Sequence, residues 1–141
     1  MATMSSLVVL DTSIFIGQLR HGQYQDRIDS LTGLIRTSAV VLAELWRGAT
    51  KPAERKFLQA LQKNHPIWVP TKQNWRDSGE ILGQVREDRG FTPEKLRNLH
   101  FDVLIALTAL SHGARLVISD RADFQLITSY RAAKGLSLEI W

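Results

Sequence analysis

The stretch LVVLDTS at residues 7–13 joins a short apolar run to polar residues that can cap a helix. Its first four residues are apolar on both faces and half of them are β-branched, a pattern typical of a buried strand in a parallel sheet. Asp11, Thr12 and Ser13 follow at once, and these residue types often precede the first turn of a helix. The stretch therefore predicts a strand that passes directly into a helix at Asp11.

The same alternation of strand and helix continues along the chain. Further strands are predicted at 34–37, 67–69, 116–118 and, at a sheet edge, 136–141. Helices are predicted at about 24–31, 38–46, 52–63, 71–88, 100–111 and 122–131. Such alternation gives a parallel sheet with right-handed crossovers and helices on both faces. The sequence therefore predicts a single α/β domain over residues 1–141.

Composition excludes several classes of site. The chain has 141 residues, no cysteine and four scattered histidines, which excludes disulfides, thiolate zinc sites and cysteine nucleophiles and argues against a histidine zinc site. The amino-terminal residues 1–6 carry no basic cluster, and the apolar run that follows is too short for a signal peptide or a membrane span. We therefore expect a cytoplasmic protein with no membrane partner.

Four carboxylates are predicted to meet at one edge of the sheet. Asp11 follows the first strand, and Asp120 follows the fourth after one intervening residue. Glu44 falls in the second turn of the helix that leaves the second strand, and Asp102 falls in the first turn of the helix predicted at 100–111. Because these strand ends and helix starts share the carboxyl edge of a parallel sheet, the four side chains should converge there.

A divalent cation is the simplest partner for this set of acids. Glu44 and Asp102 lie in the apolar stretches 39–46 and 101–110, where burying a carboxylate costs several kcal/mol unless something pairs with it. Four acids close together would also raise one another's pKa values. Oxygen ligands suit Mg²⁺ or Mn²⁺, so we predict such a site.

Three of the four acids also have a simpler interpretation. Asp11 can be a helix N-cap, Asp102 can complement a helix dipole, and Asp120 can initiate a turn. Their common placement at one sheet edge favours the metal site over these separate roles.

Four segments together resemble PIN domains of the VapC toxin type. They are LVVLDTSIFI at 7–16, TSAVVLAELWRGA at 37–49, FDVLIALTAL at 101–110 and LVISDRADF at 116–124. The resemblance implies a three-layer PIN-like fold with a five-stranded parallel sheet. It also implies an Mg²⁺- or Mn²⁺-dependent endoribonuclease that uses one or two ions.

The resemblance assigns roles to particular residues. It maps the acidic metal site onto Asp11, Glu44, Asp102 and Asp120. Asp123 is a fifth possible ligand or simply a helix cap. Three hydroxyl residues lie beside these acids in sequence: Thr12, Ser13 and Ser119. They either orient a carboxylate or a water molecule, or they act as helix caps.

The resemblance further implies a cognate antitoxin, RNA as the substrate and a homodimer. Since the four acids contribute −4 to the formal net charge of +4, the rest of the chain carries +8 and should attract phosphates. Candidate contacts to RNA are Arg86, Arg89, Lys95, Arg97 and Arg121, although solvated surface is the commoner role for any single one of them. Trp68 and Trp75 are predicted to be core residues.

Two other functions stay open from the sequence. A phosphatase of the haloacid-dehalogenase type also places Asp after its first strand, but it expects a second acid two residues later, where this chain has Ser13. A catalytically silent nucleic-acid-binding domain would keep the fold without turnover.

Overall fold

A computed structural model describes residues 6–141. Residues 1–5, on which the expected absence of a signal peptide largely rests, lie outside the described residues. Five strands form one parallel sheet in the order β3-β2-β1-β4-β5. Their bounds are β1 Leu7–Leu10, β2 Leu34–Ser38, β3 Ile67–Trp68, β4 Arg115–Ile118 and β5 Ser137–Ile140. The predicted α/β class and the five-stranded parallel sheet are therefore confirmed.

Seven α-helices alternate with these strands in the described residues. They are α1 Thr12–His21, α2 Gln25–Asp29, α3 Ala39–Gly48, α4 Pro52–Asn64, α5 Lys72–Arg89, α6 Pro93–Ser111 and α7 Arg121–Thr128. The consecutive residues Val8 and Val9 of β1 are both fully buried. Because successive side chains of a strand point to opposite faces, helices must cover both faces of the sheet.

The centre of the sheet is the point at which its strand order reverses. β1 pairs with β2 on one side and with β4 on the other, and the backbone N–H of Asp11 extends the second pairing by donating to the Val117 carbonyl at 2.9 Å. Ligands of open parallel sheets bind at such a reversal, beyond the carboxyl ends of the strands. Asp11 lies at this point.

The start of α6 differs from the prediction. The helix begins at Pro93, seven residues before the predicted start at His100, and Asp102 consequently lies in its third turn. The Thr92 side chain caps the helix by accepting from the Lys95 N–H at 3.2 Å, and proline is well suited to the first helical position. Asp102 is therefore too far from the helix start to act on its dipole, which is felt only within the first turn.

The prediction that Trp75 is a core residue is wrong, because its side chain is 53% exposed. The buried face of α5 is instead formed by Asn74, Ser78, Ile81 and Val85. Trp68 is partly buried and stacks on the His112 ring, with ring centres 3.8 Å apart. Within residues 6–141, no helix combines the length and the apolar composition that a membrane span requires.

Candidate metal centre

All five predicted acids line one cavity at the carboxyl edge of the sheet. The cavity has a volume of about 250 Å³ and opens to solvent. Its lining consists of Asp11, Thr12, Ser13, Ile16, Glu44, Asp102, Asp120, Asp123 and Phe124. The structure therefore brings together side chains from the start of α1, from α3 and α6, and from the start of α7, which are distant in sequence.

Asp11 is the most deeply buried of these acids and has one oxygen without a partner. Its Oδ2 atom accepts from the Ser13 Oγ hydroxyl at 2.7 Å and from the Ser13 backbone N–H at 3.4 Å. Its Oδ1 atom is buried and receives no hydrogen bond. Burial raises the pKa of Asp11 more than the hydrogen bonds from Ser13 lower it. Asp11 thus caps α1 with one oxygen, and its other oxygen has no partner among the described residues.

Glu44 reaches the cavity from the second turn of α3, as predicted. Its Oε1 atom accepts from the Thr12 hydroxyl at 2.8 Å. Burial raises the pKa of Glu44, the Thr12 hydroxyl opposes this effect, and the charge of Asp11 adds to it. Thr12 and Ser13 therefore each hold one carboxylate in place.

Asp102 has the most perturbed pKa in the cavity. Burial and the negative charges around it raise its pKa from 3.8 to about 8. After burial, the largest contributions come from Asp11 and Glu44, and those of Asp123 and Asp120 follow. Among the described residues, no hydrogen-bond donor reaches the Asp102 carboxylate. In the metal-free chain this side chain is mostly protonated at neutral pH.

The two acids at the start of α7 have different local roles. Asp120 is the N-cap of the helix, where its Oδ1 atom accepts from the Ala122 N–H at 3.0 Å. Asp123 lies in the first turn and is not the cap. Its charge raises the pKa of Asp102 more than the charge of Asp120 does. Asp123 therefore belongs to the cavity as fully as Asp120.

The donor set fits a hard divalent cation. Every charged group of the cavity is a carboxylate, and the buried Oδ1 atom of Asp11 needs a positive or hydrogen-bonding partner. Within residues 6–141, no group of three or more acidic or imidazole side chains is placed so that it could hold a metal ion as it stands. Three of the acids each use one oxygen to accept a bond from Ser13, Thr12 or the Ala122 N–H instead.

Other predicted site residues lie outside the cavity lining. Ser119 is partly buried next to Asp120 but does not line the cavity. Arg121 is exposed at the first position of α7. The remaining basic candidates are exposed on α5 and α6, away from the cavity lining, and they are Arg86, Arg89, Lys95 and Arg97.

No role was assigned from the sequence to three residues at this site. Ile16 and Phe124 supply the apolar part of the cavity wall, and Arg47 is close enough for its charge to lower the pKa of Glu44. Helical spacing was the available signal, since Arg47 follows Glu44 by three residues and such residues are neighbours on a helix surface.

The family model for the PIN domain matches residues 8–128 of this chain. No curated protein sequence matches it significantly. Solved structures with a similar fold include VapBC2 from Rickettsia felis bound to a DNA fragment from its promoter, at 23% identity and a TM-score of 0.69 over 96% of this chain and 98% of that one. DNA-bound VapBC from Salmonella typhimurium matches at 20% identity and a TM-score of 0.69, over 99% of both chains. VapBC-5 from Mycobacterium tuberculosis is a member of the VapBC family of toxin-antitoxin systems. It matches at 22% identity and a TM-score of 0.58, over 96% of this chain and 98% of that one.

Proposed function

The chain belongs to the PIN domain family, and from this premise we propose that it is a metal-dependent endoribonuclease, acting as the toxin of a toxin-antitoxin pair. The observation that carries the proposal is the group of five carboxylates around one cavity, with an unpartnered oxygen on Asp11. Membership of this family sets the phosphatase alternative aside. The complete set of acids favours turnover over a catalytically silent domain.

The chain's own residues would hold Mg²⁺ or Mn²⁺, as one or two ions. Asp11, Glu44, Asp102 and Asp120 are the ligands we propose, with Asp123 as a fifth. When bound, such a cation polarises the phosphodiester and neutralises the charge that develops on its oxygens.

The protein contributes orientation, proton balance and partial exclusion of water. Ser13 and Thr12 fix the Asp11 and Glu44 carboxylates through hydrogen bonds of 2.7 and 2.8 Å. Asp102 holds a proton on its carboxyl group at neutral pH and releases it when positive charge enters the cavity. Ile16 and Phe124 limit access of bulk water on the apolar side of the cavity.

The test is cleavage of a diverse RNA pool with Mg²⁺ or Mn²⁺, read by mapping the new ends. We expect cleavage that EDTA abolishes and that Asp11→Asn and Asp102→Asn each reduce by at least about 100-fold, as is usual when an essential electrostatic group is lost. Circular dichroism and melting curves check that both variants stay folded. Equal cleavage by wild type and both variants would show that another site or a contaminant is responsible.

An apolar groove next to the acids is the surface we propose for the antitoxin. It is lined by Leu19, Leu45 and Leu58, and it shares Ile16 and Glu44 with the acidic cavity. An amphipathic antitoxin segment would place its apolar side chains in the groove and a basic side chain among the acids. Such a segment would block the cavity.

Two measurements check the partner proposals. Leu45 is almost completely buried, whereas Leu19 is only partly buried, so Leu19→Asp can introduce a charge into the groove with less damage to the core. We expect Leu19→Asp to weaken inhibition by the antitoxin and to leave RNA cleavage unchanged. Light scattering of the isolated chain tests the proposed homodimer.

A further inference from the structure

Arg47 and Phe101 form a cation-aromatic pair between α3 and α6, the helices that carry Glu44 and Asp102. The guanidinium carbon of Arg47 lies 5.6 Å from the centre of the Phe101 ring. Arg47 follows Glu44 by one turn of α3, and Phe101 directly precedes Asp102 in α6. The pair therefore connects the two helices that supply Glu44 and Asp102, and both of its members are exposed.

The location of Phe101 separates it from other exposed aromatic rings. Phe101 is 36% exposed and Phe57 of α4 is 37% exposed, and isolated exposed apolar residues are common on protein surfaces. Phe57 packs edge-on against Phe15 and has no acid of the cavity next to it in sequence. Phe101 instead has an exposed ring and directly precedes Asp102, one of the proposed ligands, in α6.

Arg47 supplies positive charge near Glu44. Its charge lowers the pKa of Glu44, so it lies within electrostatic reach of the cavity. In the described part of the chain, Arg47 makes no salt bridge. Its planar guanidinium is therefore available to a phosphate group, which it can bind through two parallel hydrogen bonds.

We infer that Arg47 and Phe101 bind the nucleotide next to the scissile phosphate of a single-stranded RNA. The Phe101 ring stacks on the base, and the Arg47 guanidinium pairs with the phosphate of that nucleotide. Aromatic stacking and cationic contacts are the main ways in which proteins hold unpaired nucleotides. This assignment rests on the proposed function, because it takes RNA as the substrate. It makes the pair a substrate-binding element and a source of base preference.

The test measures cleavage and binding separately. With a short RNA and Mg²⁺ or Mn²⁺, we expect Phe101→Ala to raise KM by about 5- to 150-fold, the range that the loss of one stacked base produces, and to change kcat little. Phe101→Trp should keep KM near the wild-type value and change the preferred base at the cut. Arg47→Ala should also raise KM, and Arg47→Lys should restore it only in part because lysine lacks the planar fork. Phe57→Ala is the matched control.

Binding is read without turnover in the Asp11→Asn background. An RNA that carries 2-aminopurine next to the expected cut should lose fluorescence on binding, because stacking on an aromatic ring quenches this base. We expect the quenching to disappear in Phe101→Ala and to persist in Phe57→Ala.

The outcomes separate this inference from the proposed function. Cleavage by wild type with unchanged KM and unchanged quenching in Phe101→Ala and Arg47→Ala would overturn the inference and leave the nuclease intact. Quenching that depends on Phe101 without any cleavage by the wild-type chain would support the binding pair and overturn the nuclease. Normal KM with loss of antitoxin inhibition in both variants would assign the pair to the antitoxin and overturn the inference.

Discussion

Replacing Asp102 by asparagine should stabilise the metal-free protein. Burial and four neighbouring acids raise the pKa of Asp102 from 3.8 to about 8. At pH 7 the unfolded chain ionises this group freely, whereas the folded chain resists ionisation, and the difference costs up to about 4 kcal/mol of the free energy of unfolding. Asparagine keeps the shape of the side chain without its charge. Because the amide still loses hydration on burial, we expect a smaller gain of roughly 1 to 3 kcal/mol.

The pH dependence gives the sign of the effect. For an acid with a raised pKa in the folded chain, the folded state binds more protons than the unfolded state between about pH 4 and pH 8. The stability that protonated Asp102 provides is fully present below about pH 4 and is lost progressively as the pH rises to about 8. The Asp102→Asn variant should lose less stability over this range.

The assay is thermal unfolding in EDTA at several pH values. A gain of roughly 1 to 3 kcal/mol corresponds to a rise in Tm of about 3 to 10 °C for a chain of this length. Exposed Asp26 on α2 provides a control, and Asp26→Asn should change Tm by no more than a surface substitution does. A melting temperature of Asp102→Asn below that of wild type at pH 7 to 8, or an unchanged pH slope, would refute the reasoning and make Asp102 a structural acid.

Three further predictions concern metal binding, a glycine with positive φ and a buried arginine. Binding of Mn²⁺ at pH 7 should release about one proton per chain, mostly from Asp102, and this release should fade above about pH 9. Calorimetry in buffers of different ionisation enthalpy measures the number of protons released. Gly33→Ala should lower the free energy of unfolding by about 2 to 4 kcal/mol in urea. Gly33 has φ +134°, and a Cβ atom there would lie 2.5 Å from the Ser6 carbonyl oxygen. Gly79→Ala in α5 is the control, because a Cβ atom there meets open space and the change should be neutral or stabilising. Glu139→Gln should lower the free energy of unfolding by about 1 to 3 kcal/mol, because Glu139 forms a salt bridge of 3.4 Å with the buried Arg115. An unchanged free energy of unfolding in urea would contradict this account.

The strands and the acids at their ends could be predicted because the signals are local. The apolar run of β1 and the polar residues after it lie within seven positions, and the structure has the strand and the Asp11 cap as the sequence predicts. The start of α6 was missed although Thr92 and Pro93 are a cap and a first helical residue of the usual kind. The first two turns of α6 are mostly polar and exposed, so they lack the apolar spacing from which the helix was predicted.

The error at Trp75 has a different cause. Buried positions of α5 include Asn74 and Ser78, which a hydrophobic pattern assigns to the surface. Asn74 donates to the Ser111 hydroxyl at 2.9 Å, and the Ser78 hydroxyl donates to the Trp75 carbonyl at 2.6 Å. Such partners pay the cost of burying polar groups, but Ser111 lies on another helix and 37 residues away. A pattern within one helix cannot identify a partner of this kind.

The hydrogen bonds of the cavity suggest which acid responds most to a cation. Asp11, Glu44 and Asp120 each accept a bond from the protein, so their carboxylates are held and partly stabilised before any ion arrives. Asp102 receives no such bond from the described residues, and the charges of the other acids act on it. Its protonation therefore relieves repulsion in the metal-free chain, and its ionisation is the step that positive charge in the cavity makes favourable. Spacing along the sequence brings the acids to one edge, but this division of roles depends on which hydroxyl reaches which oxygen in the folded chain.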